Sequence, residues 1–161
     1  MIIEYEEKYI EEVRDLLVEL EEYIVSIDKD ELDIVGEEYR EKYIISLLKE
    51  VKETNGKIYL YLEDGKVLGM VAGGFRNYAE DDYLDYKCPK AGRVFELVTT
   101  QKERSKGIGR KLLNKIEEYF KDHGCEYISI DVFAYNDNAK RFYENGNYHA
   151  RMHTYIKKIS E

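Results

Sequence analysis

Apolar positions change their period several times along the chain, and each change marks an element. Ile10, Val13, Leu16, Leu17, Leu20 and Ile24 fall three or four apart, which predicts an amphipathic helix from Tyr9 to Tyr23 with one buried stripe. Tyr39, Tyr43, Ile44, Leu47, Leu48 and Val51 repeat that spacing and predict a second helix over Glu38 to Thr54, ended by Asn55-Gly56. The segment from Asp28 to Glu37 between them reads as an acidic loop or irregular helix. The spacing then shortens. Lys57 to Glu63 and Lys66 to Phe75 read as two strands joined by Asp64-Gly65, a strong hairpin signal, and Ile2 to Tyr5 can open the chain as a short strand. Arg76 to Gly92 is polar, carries Glu80, Asp81, Asp82 and Asp85, and reads as an excursion. Arg93 to Thr100 is a strand, Gly107 to His123 a helix with Gly124 as its terminator, and Tyr127 to Phe133 a strand. Asn138 to Asn145 is a short helix and Tyr148 to Ile159 a final strand, so the order is β-α-α-β-β-β-α-β-α-β.

The densest chemistry lies where the strand ending Glu96-Leu97-Val98-Thr99 gives way to Arg104-Ser105-Lys106-Gly107-Ile108-Gly109-Arg110 and a helix. Strand, basic glycine turn and helix start together gather backbone N–H groups and the positive end of a helix dipole around one point, an arrangement suited to a phosphate. A Walker loop is excluded because no glycine-Lys-Ser/Thr follows a glycine at the required interval. A dinucleotide fingerprint is excluded because the position of its third glycine is Leu112.

What remains is Arg104-x-x-Gly107-x-Gly109, and a second motif follows the next strand as Asn136-x-x-Ala139 with Tyr143 seven residues after the Asn. Both motifs, in this order, resemble the GNAT acyltransferase superfamily. The resemblance runs from Val67 to Tyr148; Asn147-Tyr148 stands where the family usually has Gly-Phe, and Gln101 where it often has proline. Asn is the best non-glycine residue for a left-handed helix end, so that geometry is expected to survive. The resemblance implies an α/β fold with a central mixed, mostly antiparallel sheet flanked by helices, in which two neighbouring strands splay apart to admit the pantetheine arm of acetyl-CoA.

It also implies roles. Backbone groups of Leu97, Val98 and Thr99 would pair with pantetheine, and residues from Arg104 through Ser105, Lys106, Gly107, Ile108 and Gly109 to Arg110 would hold the pyrophosphate. Asn136 and Ala139 would border the pantetheine arm, and Tyr143 would be the general acid that protonates the departing thiolate. On the residues alone, Asn136 reads equally as a turn or cap and Tyr143 as a core aromatic. Glu96 and Asp131, on adjacent strands, are the candidates for the base that takes the ammonium proton, directly or through water; some family members use a water chain alone.

Composition narrows the partners. A chain of 161 residues with one proline, no low-complexity linker and no internal repeat is expected to form a single domain over 1–161. No stretch is apolar enough to span a bilayer and the acidic start is no signal peptide, so a soluble cytoplasmic protein without membrane attachment is expected. Cys88 and Cys125 lack metal-ligand spacing with the histidines, and no metal is expected. Residues 1–50 hold 17 acidic and 6 basic residues and residues 51–161 hold 17 and 19, balances of −11 and +2 that sum to the net charge of −9. An acidic protein disfavours nucleic acid as a partner and suits a cationic amine. The expected activity is therefore acetyl transfer from acetyl-CoA to a primary amine of a small molecule or peptide by direct attack in a ternary complex. A catalytically silent acyl-CoA-binding sensor is the alternative. Family habit makes a homodimer one expected assembly.

Overall fold

The computed structural model describes residues 1–160. The elements are β1 (Ile2–Glu4), α1 (Ile10–Ile27), α2 (Tyr39–Glu53), β2 (Lys57–Glu63), β3 (Lys66–Phe75), β4 (Ala91–Thr99), α3 (Ile108–Asp122), β5 (Tyr127–Ile130) and α4 (Asp137–Glu144). Met1–Asp131 forms one compact unit and the chain from Val132 a second, smaller one.

In the first unit the strands lie in chain order, β1 to β4 antiparallel and β5 parallel to β4. Alternation along β3 sorts its residues between two faces. Met70 and Ala72 join the cluster built from Val13, Leu16 and Leu17 of α1 and Ile44 and Leu47 of α2. Gly69 and Gly73 face the other way, where an added Cβ would meet Leu112 and Phe120 of α3 at 3.1 Å. The apolar stripe of α3, from Ile108 through Leu112, Leu113 and Ile116 to Phe120, is buried along that second face. The β2–β3 hairpin turns at Asp64 and Gly65, both with positive φ (49° and 76°), as a primed turn requires.

Helix α1 runs to Ile27, beyond the Tyr23 expected from the stripe. Asp28 supplies the stop: its N–H bonds Ile24 O at 3.1 Å, while its carboxylate accepts the N–H groups of Asp30, Leu32 and Asp33 at 2.9, 2.6 and 2.9 Å. Those bonds hold the Asp28 carboxyl below its ordinary range and organise the acidic loop.

The expected final strand from Tyr148 to Ile159 does not form. Residues 148–160 adopt no regular structure, and Met152, Tyr155 and Ile159 are 85%, 90% and 93% exposed. Alternation alone cannot make a strand, which is stable only when its backbone joins a ladder and one face is covered. β5 likewise ends at Ile130 rather than Phe133. In the second unit α4 is capped by Asn136, and Asn147 takes the left-handed conformation (φ 66°) foreseen for it.

Candidate active site

Strand β4 carries the site because it serves two faces and one open edge. Gly92 lies on the α3 face, where a Cβ would meet the Phe120 ring at 2.4 Å, and Val94, two residues on, shares that face. Phe95 packs into the α1/α2 cluster. Simple alternation would send Glu96 back toward α3. The register with β3 instead shifts between Ala72 and Gly73, opposite Val94 and Glu96, so β4 holds one extra residue. This bulge keeps Glu96 on the α2 side, where the Tyr43 hydroxyl donates to its Oε1.

Backbone direction is set by the same ladder. Thr100 N–H bonds Leu68 O on the β3 side at 3.0 Å, so the polar groups of Leu97 and Thr99 face the opposite edge. Those of Val98, expected to meet an incoming arm as well, instead turn toward Met70 of β3, because alternate residues bond opposite sides. On that edge β5 pairs only with Ala91 to Val94, while β4 continues to Thr99. Beyond Val94 the edge has no ladder partner among the described residues. An extended amide-bearing arm could add there as a strand would.

The glycine turn follows. A 3₁₀ turn at Gln101–Glu103 leads to Ser105 and Gly107, with φ of 65° and 79°, and Gly107 is the N-cap of α3. No side chain caps the helix. Its first bond runs from Lys111 N–H to Gly107 O at 3.1 Å, so the N–H groups of residues 108–110 project from the helix start. Ile108 is buried and anchors that start, whereas Ser105, Lys106 and Gly107 are exposed around it. Lys106 pairs with Glu103 at 2.7 Å, and the Arg104 guanidinium lies 4.7 Å from the Tyr23 ring centroid. The Glu19 carboxylate accepts Gln101 N–H. The arrangement can take a phosphate group on backbone donors and a helix dipole, with Arg104 and Lys106 close by in the chain.

The two carboxylates considered as bases differ in setting. Asp131 is 87% exposed at its side chain and held by Arg93 at 2.7 Å. Glu96 is half-buried, and burial pushes its carboxyl up to about 7 against the opposing effect of the Tyr43 hydrogen bond, with Glu21 and Glu50 adding to the rise. Tyr43 stacks on Tyr39 with centroids 4.8 Å apart and planes at 11°. Tyr39 in turn lies within electrostatic reach of Glu21 of α1, whose carboxyl burial also raises. Burial raises both phenols well above the ordinary tyrosine range.

Tyr39, Tyr43 and Glu21 escaped the sequence reading because the two tyrosines count toward the α2 stripe and Glu21 toward the polar face of α1. The available signal was that two tyrosines one turn apart in a buried stripe each carry a polar tip needing a partner. Helices α1 and α2 are tied by Arg40, which bonds Glu11 and Asp15 at 2.9 Å each, and by Arg14 with Glu41 at 3.1 Å.

In the second unit, Asn136 Oδ1 accepts Ala139 N–H at 3.1 Å, so the side chain acts as the α4 cap. Tyr143 is buried, its ring 5.1 Å from Phe142 and 5.5 Å from Tyr148, and its carbonyl accepts Gly146 and Tyr148 N–H at 2.8 and 3.1 Å. Tyr148 thus fills the place expected of an aromatic plug behind the left-handed Asn147.

A sheet with a partly unpaired β4 edge, followed by a glycine turn and a helix start, is the arrangement of an acyl-CoA-dependent transferase fold. Residues 11–147 match the Acetyltransferase (GNAT) family, and the chain belongs to it. An uncharacterized N-acetyltransferase of Archaeoglobus fulgidus is 29% identical over 125 residues, which cover 72% of this chain and 85% of that protein. N-alpha-acetyltransferase 60 of Xenopus tropicalis is 28% identical over 110 residues, 66% of this chain but 39% of that longer protein. Among solved structures, a Bacillus halodurans protein matches 99% of both chains with a TM-score of 0.83 at 19% identity, a likeness of fold. Acetyl-CoA is the family's acetyl donor. Among the described residues no helix is long and apolar enough to cross a membrane.

Proposed function

We propose that the protein transfers an acetyl group from acetyl-CoA to a primary amine by direct attack in a ternary complex. The observation that carries this reading is the bulge in β4, which sets Glu96, titrating near neutrality, on the strand whose next residues offer an open backbone edge. An acetyl donor laid along that edge would have its amides met by Leu97 and Thr99, and its pyrophosphate by the turn from Arg104 to Arg110. The thioester would then end beside Glu96.

Glu96 takes the proton of the incoming ammonium, directly or through one water. A base with pKa near 7 is half ionised at neutral pH and still returns the proton to solvent readily. The neutral amine attacks the thioester carbonyl. Outward N–H groups of β4 are the donors for the oxyanion, where preorganised backbone dipoles need no reorientation. As the intermediate collapses, the C–S bond breaks, the thiolate takes a proton from Tyr143, a role assigned by family resemblance, and the second proton shed by the attacking nitrogen restores the phenol through solvent. Asp131, exposed and paired with Arg93, is the weaker candidate for the base. The acidic first 50 residues favour a cationic acceptor such as a polyamine, an aminoglycoside or a basic peptide.

The test is thiol release from acetyl-CoA across polyamines, aminoglycosides, amino acids and lysine or N-terminal peptides, with CoA affinity measured calorimetrically. Amine-dependent release is expected. Tight CoA binding with no release for any amine would turn the reading into that of a sensor module.

A further inference from the structure

We propose that Tyr43 is the positioning residue of the base, its hydroxyl fixing one oxygen of Glu96 so that the other is presented to the acceptor, and that Tyr39 clamps Tyr43 in that pose. The inference rests on the reading of Glu96 as the base. It adds a residue on a different element, α2, that no motif marks.

Three observations support it. The bulge brings Glu96 to the α2 side at the cost of regular pairing, and the partner it meets there is the Tyr43 hydroxyl. A phenol whose ionisation is suppressed by burial stays a donor, so Glu96 Oε1 is occupied at every pH of interest and Oε2 is left to accept a proton. Tyr39 stacks nearly parallel on Tyr43, which limits ring rotation and fixes the direction of the donated bond. The groups facing Glu96 are thus Tyr43, Tyr39 and Glu50 of α2 and Glu21 of α1.

The electrostatic consequence has a definite sign. Burial and the two neighbouring carboxylates, Glu21 and Glu50, favour the protonated form of Glu96, whereas the Tyr43 hydrogen bond favours the ionised form. Tyr43 therefore keeps the base competent at neutral pH in spite of its burial. Removing the hydroxyl raises the Glu96 pKa while leaving the ring stack in place.

The experiment compares Tyr43→Phe, Glu96→Gln and the double variant by pH–rate profile, alongside a carbon-13 NMR titration of the Glu96 carboxyl, assigned by its loss in Glu96→Gln. For Tyr43→Phe we expect kcat/KM about tenfold lower at pH 7 and recovering to within about threefold at pH 9, as the acid limb moves up by about one pH unit. The Glu96 titration should move with it, KM for acetyl-CoA should stay unchanged, and the double variant should be no slower than Glu96→Gln, because Tyr43 acts only through the carboxylate. An unmoved Glu96 titration, or a double variant slower by the product of the single effects, overturns the role of Tyr43 and leaves the base in place. A moved titration with full activity in Glu96→Gln overturns the base itself and the inference with it.

Discussion

At the scale of single residues, Glu96 concentrates the consequences. An ordinary glutamate titrates near 4.5, and the folded Glu96 holds its proton to about 7. Between those values the folded state binds the proton and the unfolded state has lost it, so this group makes stability fall as pH rises through that window. The slope attributable to it is at most roughly 1 kcal/mol per pH unit. Urea denaturation of Glu96→Gln at pH 5 and pH 7.5 should show a flatter dependence than the parent; an unchanged slope would mean that Glu96 ionises normally. The same variant should lose about a hundredfold or more in kcat/KM toward the best amine if the carboxylate is the base, whereas acetyl-CoA affinity stays intact. Tyr143→Phe keeps the buried ring and deletes the hydroxyl. It should lower kcat strongly with CoA affinity retained by calorimetry, and an unaltered kcat would remove Tyr143 from the list of proton donors.

Elements show why some positions are fixed by backbone rather than by contact. Gly107 has open space around a virtual Cβ, yet its φ of 79° puts any side chain in the left-handed region. Gly107→Ala should cost about 1–2 kcal/mol in the folded state, and it should weaken CoA binding by disturbing the first turn of α3. Both are read from one thermal-shift series with and without CoA. Gly92 presents the opposite case: its backbone is ordinary for a strand, but a methyl group would lie 2.4 Å from the Phe120 ring. Gly92→Ala must displace α3 from the sheet and is expected to destabilise by about 1–3 kcal/mol in urea unfolding, as overpacked cores do. Equal stability of Gly92→Ala and parent would show that α3 can shift without loss.

For the whole molecule, charge distribution is the relevant property. The −11 balance of residues 1–50 creates a field that draws cations toward α1 and α2, the helices that supply Tyr43 and Glu21 beside Glu96. If the acceptor is a polycation, its KM should rise several-fold between about 0.02 and 0.3 M salt, since a Debye length near 10 Å at 0.1 M screens such steering. If acetyl-CoA is held by the close backbone donors proposed for it, its KM should change less.

Local signals in the chain determined most of the architecture. Apolar periodicity marked both N-terminal helices, Asp64-Gly65 fixed the hairpin, and the spacing of Arg104, Gly107 and Gly109 marked the turn, because each depends on a few neighbouring residues and their intrinsic backbone preferences. Glu96 could be singled out as a charged residue within an apolar strand. As a candidate base it could not be told from Asp131, since the difference in their settings lies in burial and in partners far along the chain. The bulge that redirects Glu96 arises from the pairing of β4 with β3, and the Tyr43 contact joins residues 53 positions apart. The final strand fails for the same reason: an alternating pattern states what a strand could bury, while only the tertiary structure supplies the ladder that makes it one. Periodicity and turn chemistry act over a few residues, whereas burial, register and ionisation are set by what the folded chain brings together.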